Sequence, residues 1–221
     1  RKELAEVGGK LNALNEGAVA LADKVDKSQS KSPVRGRVQR LLANTVGGVI
    51  QPGKDIVEIV PLDDALSGQL FDRYIESLDG DKLFFLAADI ERFGAWRTTM
   101  DDAIYDGDLE PPFAMFRTYV QRVVERTAQA RGLLDKGFDF SVDESIQFDR
   151  KDAKWAAVGS ELDEIWRQRV KNDWLRLRLN GKKDDEIRKT LDKRYKSFGD
   201  RVRELDSEDV FQSFMNAYAT A

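Results

Sequence analysis

Residues 57–80 read VEIVPLDDALSGQLFDRYIESLDG, and within this stretch the chain changes character. Its first residues complete a β-branched run, Asp55-Ile56-Val57-Glu58-Ile59-Val60, which predicts a strand. After Pro61 the apolar residues recur at three- and four-residue steps. Leu66, Leu70, Phe71, Tyr74, Ile75 and Leu78 make one face of a helix that ends at Asp79-Gly80. Composition changes at the same place. Residues 1–60 hold no aromatic side chain, and residues 61–221 hold all twenty-one. Residues 1–60 carry 10 Lys+Arg against 7 Asp+Glu, whereas residues 61–221 carry 26 against 33. Two unlike pieces are expected, 1–61 and 62–221, each to be interpreted by itself.

Towards the C-terminus the pattern is a run of amphipathic helices. A segment from Leu83 to Ile104 is expected to stop at Asp106-Gly107. Pro111-Pro112 then opens a helix whose face is Phe113, Phe116, Val120, Val123, Val124 and Leu134, proline being tolerated in a first turn. Phe138 to Phe148 reads as irregular or briefly extended, with Ser141 and Glu144 at capping-box spacing. A long helix from Asp152 to Leu179 carries Trp155, Val158, Leu162, Trp166, Val170 and Trp174 and stops at Asn180-Gly181. Residues 183–205 form the next, with Asp184/Arg188, Asp185/Lys189 and Asp192/Lys196 placed for i,i+4 pairing. Ser207 is positioned to cap a last helix bearing Val210, Phe211, Phe214, Ala217 and Tyr218. Six or seven helices with short connections predict a mainly α fold, a multi-helix bundle over 62–221.

Towards the N-terminus, Leu4, Val7, Leu11, Leu14, Ala18, Leu21 and Val25 predict a helix over 3–26. The stripe is near heptad spacing, and Gly8, Gly9 and Gly17 weaken it. Arg37 to Leu41 alternates as a strand, and Gly47-Gly48 and Gln51-Pro52-Gly53 are turn signals before the second strand. A helix and a short β-hairpin thus precede the bundle.

The totals exclude several chemistries. The chain has 221 residues, 41% hydrophobic and 34% charged, which allows one or two domains with a buried core. No window approaches 18 uninterrupted apolar residues, and Arg1 to Gly9 lacks the apolar run of a signal peptide. With neither His nor Cys, Ser-His-Asp and Cys-His sites and His/Cys zinc sites cannot be built. Net charge is −4 and the isoelectric point about 5.2. Nucleic acid is therefore not expected as a partner, although Arg167, Arg169, Lys171, Arg176 and Arg178 interleave with Trp166 and Trp174. Asp79-Gly80-Asp81 and Asp106-Gly107-Asp108 lack the rest of a calcium loop and read as turns. The adjacent pairs Asp63/Asp64 and Asp101/Asp102 cannot converge on one atom. Ser28/Lys31 lies in a polar linker with no oxyanion framework. No catalytic, cofactor-binding or metal-ligating residue is assigned.

Two resemblances add to this reading. Ser32-Pro33-Val34-Arg35-Gly36-Arg37-Val38, Asn44 to Gly53 and Glu58-Ile59-Val60-Pro61 resemble type I secretion periplasmic adaptor (membrane-fusion) proteins. That resemblance covers residues 1–62. It implies half of a lipoyl-like β domain entered by a helix, an assembly role, and an ABC exporter and outer-membrane channel as partners. Phe71-Asp72-Arg73-Tyr74, Leu78-Asp79-Gly80, Phe84 to Ile90, Phe138-Asp139-Phe140, Trp166 to Lys171, Ser207 to Gln212 and Met215 to Ala219 occur in the order of another family. They resemble the N-terminal helical domain of periplasmic tail-specific (carboxyl-terminal processing) proteases, over residues 62–221.

This second resemblance implies a non-catalytic docking domain in the periplasm. Its family is a serine/lysine peptidase whose catalytic domain would lie after Ala221. The implied partners are protein substrates with apolar C-termini or a helical-repeat lipoprotein adaptor. Phe211, Phe214, Met215 and Tyr218 are the residues expected to dock on the protease core, local bundle core being their other reading. The two resemblances together make the chain read as a chimera or composite, an engineered fusion with no joint function being the remaining reading.

Overall fold

The computed structural model describes residues 15–24, 31–43 and 47–221. The chain divides into two compact units, Arg1–Pro61 and Leu62–Ala221. In the first, residues 15–24 form a helix, α1. The rest of the stretch expected as helix lies outside the described residues, as do Ser28 and Asn44 to Val46. Strands β1 (Gly36–Leu41) and β2 (Val57–Pro61) pair antiparallel. Gly36 is required where it stands, because a Cβ there would lie 2.2 Å from the Val60 carbonyl oxygen. The register pairs Val38 with Ile59 and Leu41 with Val57, with an irregularity between Val38 and Arg40. The extra residue, Gln39, shifts the alternation by one and brings Val38 and Leu41 to the same face. The connection contains a turn in which Lys54 N–H donates to the Gln51 carbonyl at 3.2 Å. Gly53 sits at φ +81 within that turn, the backbone for which Pro-Gly is suited.

The second unit is helical. It comprises α2 (Asp64–Asp79), α3 (Ala87–Phe93), a 3-10 turn (Gly94–Trp96), α4 (Met100–Asp106), α5 (Glu110–Lys136), α6 (Gly159–Leu179), α7 (Asp184–Glu204) and α8 (Ser207–Thr220). Asp63 caps α2 by accepting from the Leu66 amide at 2.9 Å. Pro111 and Pro112 lie in the first turn of α5, as expected. At about 40 Å, α5 is long enough to serve two cores in succession. Its N-terminal half gives Met115 and Phe116 to a core with Leu70, Phe71, Tyr74 and Phe214. Its C-terminal half gives Val123, Ala130 and Leu134 to a core with Leu162, Trp166, Trp174 and Leu191. Tyr119 and Val120, between these halves, pack against both. Phe84 belongs to one core and its neighbour Phe85 to the other. Each fully buried apolar side chain of this size contributes about 1.5–3 kcal/mol.

Three local expectations are corrected. Leu83 to Ile104 is not one helix. The Asp79 carboxylate, 3% exposed, accepts from the amides of Leu83, Phe84 and Phe85 at 2.7, 2.9 and 2.8 Å. Those amides are thereby held out of a helix, and helical structure restarts only at Ala87. The long helix begins at Gly159 rather than Asp152. Residues 150–156 are instead tied to 82–87: Lys82 Nζ donates to the carbonyls of Lys151 and Ala153, both at 2.6 Å, and Ala87 N–H to that of Ala156 at 2.9 Å. The cap of α8 is Asp206, which accepts from Glu208 and Asp209 amides at 2.8 and 3.0 Å, so Ser207 is already in the first turn.

Candidate functional site

Most residues of the recurring motifs turn out to hold the scaffold. Phe71 and Tyr74 are buried, and the Tyr74 hydroxyl donates to the Pro112 carbonyl at 3.1 Å, joining α2 to α5. Burial pushes that phenol upward. Arg97 grips Asp72 through two bonds of 2.6 and 2.5 Å and lies over the Phe71 ring. Asp79 organises residues 83–85, and burial raises its carboxyl against the pull of its three amides. Trp166 donates its indole N–H to the Leu83 carbonyl at 2.7 Å within the core. Trp174 is likewise buried, so both tryptophans are core residues.

Four of the basic residues singled out on α6, Arg167, Lys171, Arg176 and Arg178, are engaged inside the unit. Arg167 pairs with Glu144 and Glu164, Lys171 pairs with Glu144, and Arg178 pairs with Asp184 at 2.8 Å. Arg176 and Arg178 lie over the rings of Phe148 and Phe140. The expected i,i+4 partners on α7 are superseded: Asp184 takes Arg178, and Asp192 takes Arg131 of α5 at 2.6 Å. Ser141 and Glu144 do not form a capping box, since no helix starts there. Ser141 bonds Asp139 instead, and Arg167 and Lys171 hold the Glu144 carboxyl down to about 2. Among the described residues no group of His, Cys, Asp and Glu could hold a metal ion, and no helix is long and apolar enough to cross a membrane.

Two surfaces remain. The first is on α8. Val210, Phe214 and Ala217 are buried, with Phe214 fully enclosed and edge-on to Tyr74 at 5.4 Å. Phe214 therefore belongs to the unit's own core. Phe211, Met215 and Tyr218 follow at i, i+4 and i+7, about a quarter-turn away from the buried stripe. Phe211 is 42% exposed, while Met215 and Tyr218 are half-buried against the core. Of the four residues expected to dock on a larger protein, these three make a continuous flank. A hollow between α2 and α8, lined by Arg73, Ser77, Ser213 and Asn216, lies on the other flank of α8, across the buried stripe.

The second surface was missed by sequence reasoning. The irregular segment after α5 lies over α6 and leaves an open groove of about 400 Å³. Phe140, Val142, Ile146 and Leu175 give its apolar lining, and Gln168, Lys171 and Asn172 line it from α6. A smaller hollow of about 210 Å³ shares Ser145, Ile146 and Gln168 with the groove and reaches Arg150. The spacing of Gln168, Lys171, Asn172 and Leu175 on one helical face was the signal that could have disclosed it.

Comparison with known proteins accords with both halves of the chain. Residues 57–221 match the tail specific protease N-terminal domain. The tail-specific protease of Haemophilus influenzae is 35% identical over 161 residues, 72% of this chain and 23% of that protein. The type I secretion system membrane fusion protein PrsE of Rhizobium meliloti is 35% identical over 60 residues, 27% of this chain and 14% of that protein. The chain thus spans under a quarter of the length of either relative.

Proposed function

We propose, given that this chain belongs to the tail-specific protease N-terminal domain family, that residues 62–221 are a non-catalytic docking domain of a periplasmic tail-specific serine protease. In this reading the peptidase chemistry resides in a separate catalytic domain. The helical unit holds protein substrates with apolar C-termini, or a helical-repeat lipoprotein adaptor, beside that domain. The observation that carries the proposal is the α8 flank. Phe211 stands 42% exposed beside half-buried Met215 and Tyr218, while Phe214 anchors the same helix in the core. A partly covered apolar stripe on a rigidly anchored helix suits a domain–domain contact, with Phe214 acting from beneath.

The test is association in trans with the catalytic region of a tail-specific protease, followed by analytical ultracentrifugation. The unaltered chain should form a complex. Phe211→Glu together with Met215→Glu should abolish it without changing the circular dichroism spectrum. Failure of the unaltered chain to associate would remove the proposal.

A second reading applies to the first unit: a structural adaptor fragment of a type I secretion machine. It is favoured by the match to a membrane fusion protein and by the hairpin, whose Val38, Leu41 and Val57 are 60%, 59% and 37% exposed on one face. Crosslinking from a bacterial envelope extract separates the two readings. Capture of an ABC exporter that is lost on deleting residues 1–60 would establish the second.

A further inference from the structure

We propose that the smaller hollow, between α6 and residues 145–150, binds a small dianionic oxyanion: inorganic phosphate or a terminal phosphoryl group. Its wall carries an orphaned cation. Arg150 is 9% exposed, its Nε is buried with no hydrogen-bond partner, and its side chain forms no ion pair among the described residues. The adjacent carboxylate does not answer it, because Asp149 accepts from the Lys151 amide at 3.1 Å instead. A buried guanidinium without an acceptor is costly, and an anion entering from outside removes that cost.

A second unpaired cation lines the same space. Arg169, half-buried on α6, makes no ion pair or side-chain hydrogen bond among the described residues. Asp173, one turn further on, is taken by the Tyr195 hydroxyl at 2.8 Å and by Arg194 at 3.6 Å. No Asp or Glu lines the hollow. Ser145 and Gln147 line it with neutral donors that have no side-chain partner among the described residues. Two positive charges around one space repel each other until an anion lies between them.

The walls are fixed without a ligand. Lys82 Nζ holds the carbonyls of Lys151 and Ala153, and Ala153 N–H donates to the Arg150 carbonyl at 2.9 Å, which sets the backbone at Arg150. On the other side Trp166 ties α6 to the carbonyl of Leu83, itself part of the wall. Such preorganisation lowers the cost of binding. Size and charge then select the ligand. At about 210 Å³ the hollow is smaller than the roughly 300–1,000 Å³ of pockets for drug-sized molecules. A phosphoryl group offers three acceptor oxygens and about −1.5 to −2 of charge at pH 7, enough for two guanidinium forks. A carboxylate offers two oxygens and a single charge. The site goes beyond the docking reading above and does not depend on it.

The test uses the whole chain and inorganic phosphate near neutral pH, with sodium chloride at matched ionic strength as the reference. Isothermal titration calorimetry should show one saturable site for phosphate. Arg150→Met and Arg169→Met should each weaken it about tenfold or more. In chloride alone Arg150→Met should melt no lower than the unaltered chain, since it removes a buried charge that nothing pairs. Phosphate should raise the melting point of the unaltered chain and leave that of Arg150→Met unchanged. Glycerol phosphate separates the two sources. Tighter binding than phosphate assigns the site to a phosphoryl group on a larger molecule, and equal or weaker binding assigns it to free phosphate. No saturable phosphate site in the unaltered chain would overturn the proposal. Full affinity in Arg169→Met would do the same, and that half-buried position keeps the test valid should Arg150→Met misfold.

Discussion

Arg122 of α5 holds Asp89 of α3 in a two-pronged grip, Nε to Oδ2 at 2.9 Å and Nη2 to Oδ1 at 3.0 Å. The Asp89 side chain is 4% exposed, and the same Oδ2 accepts from the Leu86 amide at 3.0 Å. Burial works against the charge, yet Arg122 and that amide hold the carboxyl below its usual range. The pair fixes the start of α3 on the middle of α5, where the two cores meet.

Removing Arg122 leaves Asp89 charged and enclosed with only Arg92, at 3.4 Å, to answer it, whereas Arg122 keeps Glu125 at 2.9 Å when Asp89 is lost. Arg122→Met is expected to cost about 3 kcal/mol, and Asp89→Asn somewhat less, because the amide oxygen still accepts from Leu86. Urea unfolding followed by tryptophan fluorescence checks both. The folded pKa lies below the unfolded one, so the stabilisation is complete above the unfolded value near 4 and fades as pH falls through the folded value. Asp89→Asn should flatten that part of the pH profile.

Phe84→Ala and Phe85→Ala each remove a buried ring, and each is expected to cost about 3–5 kcal/mol. Phe84 packs on Trp166 and Phe198, and Phe85 on Phe93 and Trp155. The losses should nearly add despite the residues being adjacent, apart from coupling through Tyr119, which touches both rings. A double-mutant cycle in urea measures it. An interaction energy above about 2 kcal/mol would mean that the two cores are one.

At the start of α8, Asp206→Ala should cost about 1 kcal/mol, whereas Ser207→Ala should stay within about 0.5 kcal/mol of the unaltered chain. Asp206 caps two amides and receives Asp209 in return at its own N–H, 3.1 Å away. Thermal melts of the two variants distinguish the caps.

Glu144→Gln removes the anion shared by Arg167 and Lys171. Chymotryptic cleavage at Phe140 and Phe148 should accelerate several-fold, while the midpoint of global unfolding moves little. The same release is expected on acidification. The stabilisation is present above the unfolded carboxyl value and is lost as pH falls towards about 2.

These particulars show what the sequence made readable. Helices α2, α5, α7 and α8 were evident because each buries one face, and a 3.6-residue period survives in the order of residues. Asp79 defeated the reading of Leu83 to Ile104. Its three bonds run to amides four, five and six residues on, and no periodicity records a side chain that replaces helical bonds. Trp155 suggested helix by spacing, yet its segment is held by Lys82 and Ala87, some seventy residues earlier. The α8 stripe could be listed from sequence, but only packing separates enclosed Phe214 from exposed Phe211. The α6 groove stayed hidden because half of it comes from a segment with no period at all.

Phe84 and Phe85 are joined by one peptide bond and rooted in different cores. Any swing of one half of the helical unit against the other would have to wrench a ring from its seat at that bond. The unit is thus built as a beam without a joint. Through that bond and through α5, α8 and α6 share one frame.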